Sequence, residues 1–116
     1  MICEQGDLIS LNFDPSLRHE PAGRHYATVI SPWHVNSMSA LTLVAPITSR
    51  DNHYPLHVKI ADGNPVHGFV QCEALRAIDL DARESRGVAE RVGALDDETM
   101  THVMECVRVV TGLDAC

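Results

Sequence analysis

Residues 8–13 alternate in character, with Ile9, Leu11 and Phe13 on one side and Leu8, Ser10 and Asn12 on the other. That two-residue period is the signature of a strand lying on a core. Asp14-Pro15 ends the strand, and residues 14–24, with two prolines, a glycine and mixed charge, read as a loop. A second strand runs from Tyr26 to Ser31 and stops at Pro32. A third runs from Leu41 to Ile47, weakened near its end by Pro46, which has no N–H to give a ladder. Leu56, Val58 and Ile60 alternate with His57 and Lys59 as a fourth, one-sided strand. After the turn Asp62-Gly63-Asn64-Pro65, Val66 to Cys72 and Leu75 to Leu80 complete the run of short strands.

The period changes after Gly93. Met100, Val103, Met104, Val107 and Val110 recur at helical spacing. Asp96 is suited to the N-cap, Asp97 and Glu98 place negative charge at the positive end of the helix dipole, and Gly112 suits the C-cap. This predicts one C-terminal helix of about four turns. Met100 and Met104 lie on its apolar stripe as core or dimer contacts. The predicted architecture is mainly β, a small antiparallel barrel or sandwich whose open end the helix covers.

The 116 residues form one expected domain spanning 1–116. A chain of this size buries roughly two-thirds of its unfolded surface and folds without a staple. The apolar fraction is 45% and the charged fraction 22%, ordinary for a globular protein. There is no apolar run of the ~20 residues that a membrane span needs, and Met1-Ile2-Cys3-Glu4-Gln5 lacks the pattern of a secretory leader, so a cytoplasmic location is expected. Cys3, Cys72, Cys106 and Cys116 form no C-x-x-C pair and no zinc-type spacing with histidine. Free thiols are therefore expected in a reducing compartment, with no metal and no cofactor.

Net charge is −7 and uneven: residues 1–60 carry five acids and four bases, residues 61–116 eleven acids and five bases. Phosphate neutralisation supplies most non-specific affinity for nucleic acid, so a nucleic-acid site belongs in the first half. That half also holds five of the seven histidines, which can gain charge as a phosphate docks.

Three segments carry candidate chemistry. In Arg18-His19-Glu20-Pro21-Ala22-Gly23-Arg24-His25, two arginines, two histidines and a carboxylate fall within eight residues. Such a set can bind a phosphate and move protons without a metal, although a solvated polar loop has the same composition. Thr48-Ser49-Arg50 places two hydroxyls and a cation at a strand end, fit for phosphate contacts but equally ordinary turn chemistry. In Gln71-Cys72-Glu73 a carboxylate sits at a barrel rim, placed to act as a base or simply to be solvated. Trp33 and Phe69 are two of only five aromatics and read as packing residues rather than base-stacking platforms.

A longer pattern joins these segments. Gly6-Asp7-Leu8, Phe13-Asp14-Pro15, His19-Glu20, Ser31-Pro32, Asn36, Pro46-Ile47-Thr48-Ser49, His67-Gly68-Phe69-Val70 and Ile78-Asp79-Leu80-Asp81-Ala82-Arg83 occur in this order. Order and spacing resemble the MazF/PemK toxins, small endoribonucleases of bacterial type II toxin–antitoxin systems, from residue 6 to about residue 111. The resemblance implies an SH3-like barrel with a C-terminal helix, usually a homodimer. It implies sequence-specific, metal-independent cleavage of single-stranded mRNA by attack of a ribose 2′-hydroxyl on the adjacent phosphate. It also implies a cognate antitoxin whose flexible acidic tail lies across the RNA groove.

Carried over residue by residue, Thr48 matches the family's catalytic threonine and His19 the loop histidine of PemK-type members. The family's R-P step is altered. Counting without gaps from Glu20 to Ser31, His25 takes the arginine slot and Tyr26 the proline slot, while Arg24 stands one place earlier. On a strand that offset points Arg24 to the other face. The PemK-type Arg-x-Asp pair reads Gln71-Cys72-Glu73, keeping a carboxylate and losing the arginine. The implied site is His19, Arg24, His25, Thr48 and Glu73, with Arg18, Glu20, Ser49, Arg50 and Gln71 along the RNA. His25 or His19 would be the acid, Glu73 or the other histidine the base, and Arg24 and Thr48 the phosphorane donors. The competing expectations are a gyrase-binding toxin of the related, non-enzymatic CcdB type, and a family member that only binds antitoxin or RNA.

Overall fold

The computed structural model describes residues 1–14, 17–20 and 23–114. Pro15, the Pro21 of the first loop and Cys116 lie outside the described residues. The strands are β1 (Asp7–Asn12), β2 (Arg24–Val29), β3 (Thr42–Thr48), β4 (His57–Lys59), β5 (Phe69–Gln71), β6 (Arg76–Ile78) and β7 (Ala89–Ala94). Three helices accompany them: α1 (Trp33–Met38), α2 (Leu80–Ser85) and α3 (Asp97–Val110). A 3-10 turn, Cys72–Ala74, links β5 to β6. The strand order is β4-β5-β3-β2-β1-β7, with β6 also pairing β3, and the pairings are antiparallel. β5 and β6 share one edge of β3, β5 beside Ile47 and Thr48 and β6 beside Thr42 to Val44, with β2 on the other edge.

The sheet buries both faces, and side-chain alternation divides its core in two. Ile9, Leu11, Phe13, Ala27, Val29, Val44, Ile78 and Leu80 fill one side. Leu8, Ala45, Ile47, Val70 and Cys72 face the other, where Val103 and Val107 of α3 meet them. Burying a valine fully is worth roughly 1.5–3 kcal/mol, so α3 is anchored by its stripe. Met100 and Met104 pack against that cluster as core contacts. The helix starts as the sequence predicts: Asp96 Oδ1 accepts the Thr99 N–H at 2.9 Å. It ends on Thr111, with Gly112 one place beyond at φ +81°, the left-handed position that glycine takes at no steric cost. Helix α3 rests on β4 and on the 3-10 turn, which places it directly behind the Glu73 segment.

Three elements go beyond the sequence reading. α1 has only Asn36 buried and no side-chain cap, so no apolar period announces it. Its Trp33 is 54% exposed, which corrects the reading of Trp33 as a packing residue; Phe69 is half-buried. α2 begins at Leu80, earlier read as the end of a strand, because Asp79 caps it by accepting the Ala82 N–H. β7 buries little beyond Ala89, and its register against β1 shifts between Leu8 and Ile9, so strict alternation is absent.

Several motif residues turn out to hold the fold. Asp7 is buried and accepts hydrogen bonds from Arg91 and from the Glu4 N–H. Asn36 donates to the carbonyls of Cys3 and Ser31, each at 2.9 Å, and accepts from the Ser31 hydroxyl. Among the described cysteines, Cys3, Cys72 and Cys106 are free. No helix of the described residues is long and apolar enough to cross a membrane.

Candidate active site

The loop between β1 and β2 is closed at its base by two hydrogen bonds, Phe13 N–H to the Gly23 carbonyl at 2.8 Å and Gly23 N–H to Asp14 Oδ1 at 2.9 Å. Inside it, Glu20 Oε1 accepts the Leu17 N–H at 2.7 Å, and the Glu20 N–H donates to the Leu17 carbonyl. This small turn holds Arg18 in the left-handed region at φ +46°, a conformation that costs a non-glycine residue energy and recurs at binding loops. Arg18, His19 and Glu20 are all exposed on the loop.

From here a cleft of about 870 Å³ opens across the barrel rim. The loop contributes Leu17, Arg18, His19 and Glu20, and β2 contributes His25. The end of β3 supplies Thr48. Gln71, Glu73, Ala74, Leu75 and Arg76 come from the end of β5, the 3-10 turn and the start of β6. Pairing explains the gathering. Thr48 lies opposite Phe69, Gln71 shares the Phe69 face of β5 and Glu73 follows just past the strand end on the 3-10 turn, while His25 lies opposite Leu11 on the core-facing side of β2.

Phe13 is the shared support of two candidate side chains, His25 and Arg76. The His25 ring meets it edge-on with centroids 6.1 Å apart. The Arg76 guanidinium lies 5.8 Å from its ring centroid, and Arg76 Nη1 donates to the Phe13 carbonyl at 2.7 Å. Cation–π contact plus a backbone hydrogen bond fixes that side chain in place.

Of the ten residues singled out from sequence, seven line this cleft: Arg18, His19, Glu20, His25, Thr48, Gln71 and Glu73. Arg24 does not. As alternation demands, it projects to the face opposite His25, where its Nη1 donates to Ser10 Oγ at 2.6 Å. Ser49 and Arg50 are exposed beyond the strand end and do not line the cleft; the Arg50 N–H donates to Thr48 Oγ1 at 3.2 Å. That oxygen acts as acceptor, so the hydroxyl hydrogen remains available to donate. Glu73 sits on the 3-10 turn rather than on a strand.

Arg76 is the site residue that sequence reasoning missed. The signal was parity: Arg76 and Ile78 share one face of β6, opposite Val44 and Thr42, so an arginine stands where a core residue is due. The Cys72 thiol between Gln71 and Glu73 is no nucleophile. It is fully buried, and that burial, with the neighbouring Cys106, pushes its ionisation far up. Among the described residues, no group of three or more histidine, cysteine or acidic side chains is placed to hold a metal ion.

A small antiparallel barrel with a polar rim cleft of histidine, carboxylate, hydroxyl and guanidinium groups is what this fold and site define. The chain belongs to the PemK-like, MazF-like toxins of type II toxin–antitoxin systems, whose family model matches residues 4–111. It is 32% identical over 108 residues to the endoribonuclease toxin ChpB of Escherichia coli K12, covering 87% of each chain. Among solved structures it resembles MazF from Deinococcus radiodurans, with a TM-score of 0.85 and 29% identity over 97% of this chain and 98% of that one. It also resembles a MazE-MazF structure from the same organism, with a TM-score of 0.80 and 29% identity over 98% and 99% of the two chains. These likenesses bear out the SH3-like barrel with its C-terminal helix.

Proposed function

We propose that this protein is the toxin of a type II toxin–antitoxin pair and acts in the cytoplasm as a sequence-specific, metal-independent endoribonuclease on single-stranded mRNA. The observation that carries this reading is the convergence, in one cleft, of His19, His25, Thr48, Glu73 and Arg76 from four separate parts of the chain. These are the groups an internal transesterification needs. A base, Glu73 or one histidine, takes the proton of the 2′-hydroxyl as the bond from O2′ to phosphorus forms. The bond from phosphorus to O5′ breaks, and His25 or His19 gives its proton to the leaving oxygen. The products are a 2′,3′-cyclic phosphate and a 5′-hydroxyl. Thr48 and Arg76 donate to the phosphorane oxygens, the second in the role that sequence position offers to Arg24. Arg18, Glu20 and Gln71 line the path of the RNA.

Membership in a family of toxins of type II toxin–antitoxin systems supports a cognate antitoxin; in this reading it lays a flexible acidic tail over the cleft, and the toxin works as a homodimer. The test is incubation of purified protein with a long mixed-sequence RNA in EDTA, followed by mapping of cut sites and end groups. Cuts at one short motif with cyclic-phosphate ends are expected. Intact RNA at high protein concentration overturns the nuclease reading and leaves gyrase binding or antitoxin binding alone as the alternatives.

A further inference from the structure

His57 stands on β4, outside the cleft lining, yet its Nε2 is 2.8 Å from Glu73 Oε2. The His57 side chain is 6% exposed and that of Glu73 31%. The imidazole is therefore almost wholly buried, at the edge of a second hollow between β4 and α3, while the carboxylate it touches reaches the cleft. The placement follows from the ladder. His57 pairs with Gln71, and Glu73 lies two residues further on, just past the strand end. The ring is held from behind by Tyr54, edge-on at 5.1 Å between centroids, and the His57 N–H donates to the Tyr54 carbonyl at 3.0 Å.

The other ring nitrogen decides the tautomer. His57 Nδ1 is buried and has no hydrogen-bond partner among the described residues. An N–H at that position would be a buried donor with no acceptor, the costly kind of unsatisfied group. The arrangement that leaves no buried N–H unpaired puts the ring hydrogen on Nε2, donating to Glu73, with Nδ1 a bare lone pair.

We propose that His57 is a positioning residue for Glu73 and that Glu73, rather than a histidine, is the base. The Nε2–H clamps Oε2, leaving Oε1 as the oxygen that takes the 2′-hydroxyl proton as the bond from O2′ to phosphorus forms. His57 keeps its own proton throughout. The clamp answers a specific need: Glu73 is carried by a three-residue turn on a flexible stem, and a base must be held near its attack geometry to be effective. The inference rests on the ribonuclease reading above.

The test compares steady-state cleavage of one RNA carrying the mapped cut site by the parent, His57→Leu, His57→Gln, Glu73→Gln and the double variant His57→Leu/Glu73→Gln. His57→Leu is expected to lower kcat by about 10- to 100-fold with KM unchanged, the scale of a misplaced catalytic group. His57→Gln keeps an N–H donor and is expected to recover most of that loss. In the Glu73→Gln background, His57→Leu is expected to cost nothing further. Parent-like cleavage by His57→Leu overturns the inference while leaving the nuclease reading intact; so does a loss that His57→Gln does not relieve, or one that persists without the Glu73 carboxylate. A parent that cuts no RNA removes the nuclease reading and this inference together. Nitrogen-15 NMR of the folded parent gives a readout independent of activity and of variant folding. A hydrogen on Nε2 that couples to the Glu73 carboxylate supports the clamp, and a hydrogen on Nδ1 overturns it.

Discussion

Gly68 packs against the backbone of Thr48 so closely that a Cβ on Gly68 would overlap the Thr48 carbonyl oxygen; Ile47 Cγ2 would lie 3.3 Å away. Gly68 also has φ +129°, which side-chain-bearing residues rarely adopt. The glycine is therefore what lets the start of β5 approach the end of β3, where the Thr48 hydroxyl enters the cleft. Gly68→Ala is expected to destabilise the protein by about 1–3 kcal/mol through backbone strain and to lower cleavage per folded molecule by moving Thr48. Thermal melts and kcat on the folded fraction check the two effects separately. Unchanged values for both would show that the approach is not needed.

Arg76 and Arg24 offer a direct contrast. Arg76 is held at the cleft by the Phe13 ring and carbonyl, whereas Arg24 is turned away to Ser10. Arg76→Gln is expected to lower kcat by about 10²–10³-fold, the cost of losing one donor to a transition-state oxygen. Arg76→Lys is expected to fall between, since it keeps charge and loses the planar fork. Arg24→Gln should cost less than Arg76→Gln in the same assay. The reverse order would restore Arg24 to the phosphate.

The contrast also shows where sequence reading ends. Period-two alternation in 8–13 and the capped stripe of α3 were legible because one or two buried faces dictate them. The cleft residues of the loop and of Thr48 were legible through ordered motifs. The one-residue displacement of Arg24 was visible too, but its consequence depends on Arg24 lying in β2, and the strand begins two residues before the Tyr26 that starts the apolar run. Arg76 and His57 were hidden for another reason. Each acts through a partner distant in sequence, Phe13 for one and Glu73 for the other; the parity of β6 marks Arg76 as out of place, but neither partner can be read from a local pattern. α1 was hidden because it buries a polar residue, Asn36, in place of an apolar stripe.

Asn36 separates motif from mechanism. Its side chain satisfies two carbonyls and takes the Ser31 hydroxyl, all away from the cleft. Asn36→Ala strands those buried groups and should cost about 1–3 kcal/mol of stability, while cleavage by the folded fraction stays at the parent level. Denaturant unfolding beside kcat at low temperature tests this. A kcat defect without a stability loss would place Asn36 in the chemistry after all.

The buried thiols make a chemical prediction. Burial, reinforced by Asp7, pushes the Cys3 thiol up to about 11, and burial with Cys106 pushes Cys72 up as well. Thiolate is the reactive form, so at pH 8 neither Cys3 nor Cys72 of the native protein should react with iodoacetamide, while both should react in guanidinium. Peptide mapping after labelling reads the outcome. Rapid native labelling of Cys72 would mean that the 3-10 turn opens readily and that Glu73 is less firmly held than its contacts indicate.

Asp96 ties the start of α3 to pH. Hydrogen bonding from Thr99, side chain first and then backbone, with a smaller contribution from Asn64, holds its carboxyl below the ordinary carboxylate value. A carboxyl whose ionisation is easier in the fold than in the unfolded chain adds stability that is fully present above the unfolded value, roughly pH 4. That stability is lost as pH falls through the lower folded value. Asp96→Asn keeps an accepting oxygen for the Thr99 N–H but cannot titrate. The parent should therefore melt at a higher temperature than Asp96→Asn above roughly pH 4, and the gap should close as the solution is acidified below that point. A gap that stays constant across this range would show that the cap works through its hydrogen bond alone, with no contribution from the charge at the dipole's positive end.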